Sequence, residues 1–186
     1  MPTTGVLEVF HDLHTFGHEA GDGGVAAWSV RRVAEPDRTT LVEPPAEVDV
    51  PAPVCQLVPA MPGFTLPPAA DAAGGPQDGF NTARVLEEAL QKAWLAQRAG
   101  SAEGHPVPVS HVYARSQHGE INARVLLDEV LPLSAPGDEH RLLLDLESWT
   151  TLEGWFGDAG SLEVWARRSD LESCRFDRAW CLVRTD

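Results

Sequence analysis

Runs in which apolar and polar residues alternate recur through the last third of the chain. Residues 141–147 alternate leucines with other positions, residues 162–167 repeat the pattern, and residues 179–184 form a third run. Because a period of two places alternate side chains on opposite faces of a strand, each run predicts a β-strand with one buried face. We expect leucine, valine and tryptophan to fill the inner face and the acidic residues to lie outside.

The N-terminal part of the chain predicts further strands. A β-rich run begins residues 5–18, residues 25–33 place Trp28 and Val30 on one face, and residues 39–42 form a short third run. Such runs, bounded by glycine-rich turns, are typical of strands. Residues 107–114 predict one more strand in the second half of the chain.

One main amphipathic helix is predicted at about residues 82–99. Its residues of one face form an apolar stripe, and we expect this stripe to lie over a sheet: Val85, Leu86, Ala89, Leu90 and Ala93. Ser169 and Glu172 have the spacing of a capping box, which predicts a short helical turn near residues 169–173. Together these elements predict an α+β fold with mostly antiparallel sheet or sheets.

The segment at about residues 36–80 differs from the rest, because it holds most of the 15 prolines. Proline fixes φ and removes a backbone donor, so long central strands are not expected there. A length of 186 residues fits one domain. We therefore expect a single domain over residues 1–186, with a proline-rich irregular segment at about 36–80.

The charge of the chain is strongly acidic. It has 28 acidic and 14 basic residues, which gives a formal net charge of −14. That field repels nucleic-acid phosphates and anionic membrane surfaces, so neither is an expected partner. It suits a basic protein partner, although acidity that only maintains solubility explains the same number.

The cysteines and the hydropathy pattern bear on location. Cys55, Cys174 and Cys181 are an odd set without a close pair, which favours a reducing compartment over a disulfide scaffold. The first residues show no signal-peptide pattern, and no apolar run is long enough to cross a membrane. We expect a cytoplasmic location.

The C-terminal pattern resembles a known family. Residues 142–183 contain an apolar strand, the aromatic-Gly-Asp-x-Gly turn of residues 156–160, a strand, the turn of residues 168–171 and a final strand. This order resembles the C-terminal signature of the YwqG-like family, a bacterial domain family without an assigned activity. The opening residues 5–19 are similar to the family's first strand and following loop, and His111 is similar to a family histidine. The resemblance covers roughly the C-terminal two-thirds of a full member and implies an α+β, mostly antiparallel fold with no assigned reaction.

Three histidines close together are the candidate metal ligands. His11, His14 and His18 are flanked by Asp12 and Glu19. Imidazoles bind zinc-like ions when three or four ligands converge, and a strand-to-loop turn could bring these three together. The alternative is a polar loop with exposed histidines. No other motif points to a cofactor, and none is expected.

A set of residues in the C-terminal half forms a candidate binding site: Asp145, Glu147, Asp158, Trp165 and His111. Paired carboxylates serve acid–base catalysis or bind hard cations, yet the same residues fit the solvated face of a half-buried strand. No nucleophile elbow or phosphate-binding loop is present, and the sequence assigns no catalytic residue.

From these observations the leading hypothesis is a non-enzymatic protein-interaction module. It would be adaptor- or immunity-like and would bind a protein partner through an acidic face that carries aromatic residues. The acidic charge of this face favours a basic partner. The alternative is an enzyme that binds a metal or small ligand through His11, His14 and His18. A third possibility is a structural subunit of a larger assembly. The sequence leaves the oligomeric state open.

Overall fold

The structure is a computed structural model. It describes residues 4–24, 26–37, 39, 81–82, 84–86, 88–90, 92–93, 96, 111–112, 123–147 and 160–184. The predicted irregular segment at about 36–80, which includes the predicted strand at 39–42, lies outside these ranges apart from residues 36, 37 and 39. Of the predicted strand at 107–114, only residues 111 and 112 are described. Among the described residues, no helix is both long enough and apolar enough to span a membrane.

The described strands form two antiparallel sheets. The first pairs β1 (Val6–His11) with β2 (Trp28–Val33). The second has four strands, in the order β3 (His111–Val112), β4 (His140–Glu147), β5 (Ser161–Arg167) and β6 (Trp180–Arg184). The helices with continuous bounds are α1 (Ala123–Val130) and α2 (Arg168–Glu172), and a 3-10 turn spans Phe176–Arg178. The predicted α+β fold with antiparallel sheets is confirmed.

The central strand β5 is buried on both faces, since residues 161–166 are all shielded from solvent. The acids on this sheet are buried as well: Asp145 and Glu163 are both 0% exposed. The prediction that the acids face solvent is therefore wrong for Asp145 and Glu163. Alternation shows that two faces of a strand differ in polarity, but it does not show that the polar face is uncovered.

A register shift also interrupts the predicted alternation on β4. The pairing of β4 with β5 is irregular between Leu142 and Leu144, and consecutive Leu142 and Leu143 are both buried. An irregularity of this kind places one extra residue in a strand and turns the following side chains. Strict alternation along residues 142–147 was therefore an incomplete description of this strand.

The two-stranded sheet has a buried and an exposed face. Val9 faces Val30 across the pair, and Val30 and Trp28 are buried, as the sequence predicted. On the opposite face Glu8 pairs with Arg31, whose Nε donates to Oε2 of Glu8 at 2.6 Å. The buried face carries the hydrophobic residues that contact the core, so this small sheet is a layer of the same domain core.

Two tryptophans join the first sheet to the second. The rings of Trp28 and Trp180 meet edge to face, with centroids 4.9 Å apart. The indole N–H of Trp28 donates to the carbonyl oxygen of Ala179 at 3.2 Å. Edge-to-face aromatic pairs add stability beyond the area they bury, and the indole donors are satisfied in the core.

Residues 12–24, here called the strap, lie along the outer edge of β6. The backbone N–H of Val183 donates to the carbonyl oxygen of Phe16 at 2.8 Å. The indole N–H of Trp180 donates to the carbonyl oxygen of Gly17 at 2.8 Å. His18 Nε2 lies 3.0 Å from the carbonyl oxygen of Val183 and donates to it. The strap thus satisfies polar groups of a strand edge that would otherwise remain open to pairing.

At its described positions the predicted main helix is helical, but its apolar stripe is not buried. Every described position between residues 81 and 96 is helical. Val85 is 57% exposed and Leu86 is 53% exposed, so the expectation that this stripe lies over a sheet is wrong for these two residues. Periodicity identifies an apolar face, whereas its burial depends on where the helix lies in the fold.

The two short helices differ in how well the sequence predicted them. α1 was not predicted, although its eight residues are amphipathic, and Leu127 at 1% exposure anchors it in the core. α2 occupies the predicted helical turn, but its start is not capped by the Ser169–Glu172 pair. Instead the N–H and hydroxyl of Ser169 donate to the carboxylate of Asp138, at 3.0 and 2.7 Å.

Candidate functional site

A row of buried polar side chains crosses the four-stranded sheet. Asp145 of β4 stands opposite Glu163 of β5, so the two carboxylates share one face. The guanidinium of Arg184 on β6 forms an ion pair with Glu163, with Nε 3.0 Å from Oε1. The indole N–H of Trp165 donates to Oε2 of the same glutamate at 2.8 Å. Glu163 is thus the shared acceptor of this buried row.

The energetics of this row follow from its burial. Glu163 is 0% exposed and Arg184 is 6% exposed. A buried ion pair gains little net stability over an apolar pair, but removal of one partner leaves an uncompensated charge and costs about 3–5 kcal/mol. Only a register of β5 and β6 that keeps Glu163 beside Arg184 therefore avoids this cost.

The structure accounts for only part of the predicted C-terminal binding set. Asp145 lies in the buried row, and Trp165, at 7% exposure, shares its face. His111 on β3 is the register neighbour of Asp145, and Glu147 is the register neighbour of Ser161 at the end of β4. Asp158 lies outside the described residues. That these residues bind a ligand stays a prediction.

His11 is a core residue rather than a solvent-exposed one. Its side chain is 2% exposed, and its ring stacks on Trp28 with centroids 5.8 Å apart and planes 2° from parallel. The N–H of Leu13 donates to Nδ1 at 2.9 Å, which leaves the ring proton on Nε2. Within the described part of the chain Nε2 has no hydrogen-bond partner. Burial lowers the pKa of His11, and the carboxylate of Asp12 opposes that shift.

The three candidate metal ligands are not brought together. His11 stacks on Trp28, whereas His14 and His18 both line one surface of the strap, where His18 also bonds to the backbone of β6. Among the residues that the structure describes, no group of three histidine, cysteine or acidic side chains is arranged to hold a metal ion. Metal binding by this set stays a prediction, and the placement of the imidazoles does not support it.

The described cysteines differ in environment. Cys181 lies in β6 at 0% exposure, and burial raises the pKa of its thiol to about 12. A thiol of that acidity is not a nucleophile near neutral pH, because the thiolate is the reactive form. Cys174 is exposed after α2, and Cys55 lies outside the described residues.

The surface of the strap has a shallow depression that is open to solvent, here called the groove. The groove has a volume of about 590 Å³, and its walls come from one short stretch of chain: His14, Thr15, Phe16, His18, Glu19 and Asp22. Phe16 is 44% exposed within it, and its ring lies 5.9 Å from that of His18 at a 51° tilt. An exposed aromatic residue and two acidic residues therefore line the same surface.

The walls of this groove are held by local hydrogen bonds. The carboxylate of Asp12 accepts the N–H groups of His14 and Thr15, each at 2.9 Å, and the hydroxyl of Thr15 at 2.7 Å. These bonds, that of the Thr15 hydroxyl first, lower the pKa of Asp12 to about 2. At the other end the N–H of Glu19 donates to Asp22 at 3.2 Å. With the bonds to β6, the strap presents one defined surface.

Charge in the groove is uncompensated. No described arginine or lysine forms an ion pair with Glu19 or Asp22. Acidic side chains around an exposed aromatic ring attract cations through both the carboxylates and the ring face. The groove therefore has the chemistry of a cation-binding surface.

Sequence reasoning missed this groove and the partners of the buried row. Phe16 and Asp22 belong to no motif that predicts a site, and Glu163 and Arg184 belong to runs that predict strands only. The available signal was one aromatic residue and two acids within a glycine-rich stretch of seven residues, 16–22. Such a combination is common and has little specificity for a binding site. Their convergence depends on how the strap lies on β6.

Comparison with known proteins gives one result. A search of curated proteins returns no significant match, and neither does a search of solved structures. A family model matches residues 1–184, nearly the whole chain, and its description is Domain of unknown function (DUF1963). The chain therefore belongs to the DUF1963 family.

Proposed function

We propose that this protein is a non-enzymatic interaction module that binds a basic protein partner through the groove of the strap. The observation that carries the proposal is the groove itself, whose lining includes the exposed Phe16 together with Glu19 and Asp22, two acids that pair with no described arginine or lysine. A net charge of −14 adds a long-range attraction for a basic partner. An adaptor- or immunity-like role in a bacterial cytoplasm fits this chemistry.

Binding, rather than catalysis, is proposed because the groove is open to solvent. A reaction centre gains from excluding water, which strengthens electrostatic interactions within it. A surface for a protein partner needs an accessible aromatic anchor with polar residues around it. The local bonds of Asp12 and the contacts with β6 hold this surface before a partner arrives, which lowers the entropy cost of binding. We also propose that the chain is YwqG-like, on the resemblance of its C-terminal strands and turns to that family.

The test is the affinity of the whole chain for defined peptides. A fluorescent peptide with four basic residues and one with four acidic residues would be titrated by fluorescence anisotropy at low and at physiological salt. We expect binding of the basic peptide only, weakened by salt because exposed charges are screened. The double variant Glu19→Gln, Asp22→Asn should raise the Kd roughly fivefold, since exposed ion pairs contribute about 0.2–1 kcal/mol each.

The control is a double variant with the same net charge, Glu129→Gln, Asp177→Asn. Glu129 on α1 and Asp177 in the 3-10 turn are exposed and lie outside the groove. Its Kd should match that of the unmodified chain. Equal weakening by both double variants would show that net charge alone drives binding, and the groove would then have no role.

A further inference from the structure

The chain already contains one exposed cation bound by an aromatic ring and a carboxylate. On the outer face of the first sheet, Arg31 places its guanidinium carbon 5.3 Å from the ring centroid of Phe10. Nε of Arg31 also forms an ion pair with Glu8 at 2.6 Å. Phe10 is 53% exposed, so the arrangement persists in contact with solvent.

The strap groove has the same components without the cation. Phe16 is 44% exposed, Glu19 and Asp22 supply the carboxylates, and His14 and His18 line the same groove. Among described residues, no arginine or lysine pairs with these two acids. A cation from another molecule would complete the arrangement that Arg31 completes on the first sheet.

The shape of the cation distinguishes the two basic side chains. A guanidinium is planar, so it stacks on a ring while its N–H groups at the edge reach carboxylates on either side. It is also more weakly hydrated than an ammonium group, so less hydration is lost when it contacts a ring. An ammonium group is a compact and strongly hydrated charge. A groove with one ring and two carboxylates at its walls therefore fits a guanidinium better.

We propose that the partner presents an exposed arginine, whose guanidinium stacks on Phe16 and bonds to Glu19 and Asp22. This inference rests on the proposed function and names the partner residue that the groove recognises. The partner is a protein or peptide segment, because the groove lies open at the surface, where a side chain carried on another chain can reach it.

The experiment compares three peptides on the isotopically labelled whole chain by NMR titration. Each is an uncharged glycine–serine peptide with one central residue: arginine, lysine or citrulline, the last having the shape of arginine without its charge. We expect the arginine peptide to bind about two- to fivefold tighter than the lysine peptide, the range of a cation–π contact at an exposed site. The citrulline peptide should show no saturable shift.

Two variants of the same kind locate the effect. Phe16→Leu keeps an apolar side chain and the backbone carbonyl that bonds to β6, but it removes the aromatic face. It should abolish the preference for arginine over lysine. Phe10→Leu removes a ring that Arg31 already covers, so it should leave the preference unchanged.

The outcomes separate this inference from the proposed function. Equal binding of the arginine and lysine peptides, both weakened by Glu19→Gln, would overturn the arginine assignment and leave the basic-partner function standing. A preference for arginine that survives in Phe16→Leu would also overturn it. If Glu19→Gln affected no peptide, the proposed function would fail as well. Free arginine that competes as well as the peptide would replace the protein partner by a small molecule.

Discussion

Replacement of Gly17 by alanine tests whether the strap depends on close approach to β6. Gly17 has a φ of +76°, in the left-handed region that side chains rarely adopt. A Cβ built on this residue would lie 2.0 Å from the carbonyl oxygen of Cys181, which is backbone and has little freedom to move. The strap of the variant must therefore shift away from the strand.

The expected loss has two parts. An alanine in the left-handed region costs about 1–2 kcal/mol. The shift also breaks or weakens the bonds to β6 that involve Phe16, Gly17 and His18, and each of these contributes about 0.5–1.5 kcal/mol. Because partial relaxation keeps some of these bonds, we expect Gly17→Ala to lower the free energy of unfolding by roughly 2–5 kcal/mol. For a chain of this size the melting temperature falls by roughly 5–15 °C.

The assay is urea denaturation, together with the NMR signal of the Trp180 indole N–H, which bonds to the carbonyl of Gly17. Gly21→Ala is the matched control in the same strap, since an added Cβ there meets no atom within 4 Å. Gly17→Ala should also weaken binding of the basic peptide, because the residues that line the groove shift with the strap. If the two variants had equal stability and the Trp180 signal stayed in place, the strap would not be fastened to β6 as described.

Two further predictions concern buried charge and proton uptake. Arg184→Met leaves Glu163 buried without its cation, so it should lower the free energy of unfolding, measured by urea denaturation, by about 3–5 kcal/mol. Arg178→Met, on the exposed 3-10 turn, should lower it little, and similar losses in the two variants would contradict the role of the buried row. His11 has a folded pKa below its unfolded value of about 6.5, so unfolding takes up a proton and stability should fall as the pH drops below about 6.5, by at most about 1.4 kcal/mol per pH unit. The free energy of unfolding of His11→Gln, measured against pH, should lack this decrease. Identical pH profiles of His11→Gln and the unmodified chain would refute the prediction.

The strands of the C-terminal third were predictable because their signal is local. The runs at residues 141–147, 162–167 and 179–184 became β4, β5 and β6 within one or two residues. The same holds for Trp28 and Val30, whose shared face follows from a period of two. α1 was missed even though it is amphipathic, with Leu127 buried and Asp128 and Glu129 exposed; a helix of two turns carries this pattern over only a few residues.

The candidate site was much less predictable. The spacing of His11, His14 and His18 suggested one cluster, yet the end of β1 buries the first against Trp28 while the strap leads the others away. Asp145 was expected in solvent and lies in the buried row. Both differences have one cause: sequence spacing limits how far apart two residues lie, but the direction of a side chain depends on the elements packed around it.

By itself, the sequence determined which segments form strands and the acidic charge that makes a basic partner plausible, since propensity, period and charge are properties of the chain alone. Only the tertiary structure decided that Glu163 shares a buried face with Asp145, and that Phe16, Glu19 and Asp22 form one groove. The physical reason is that a polar residue is tolerated in a core only with partners from other strands, and those partners are chosen by packing and register over long distances in sequence.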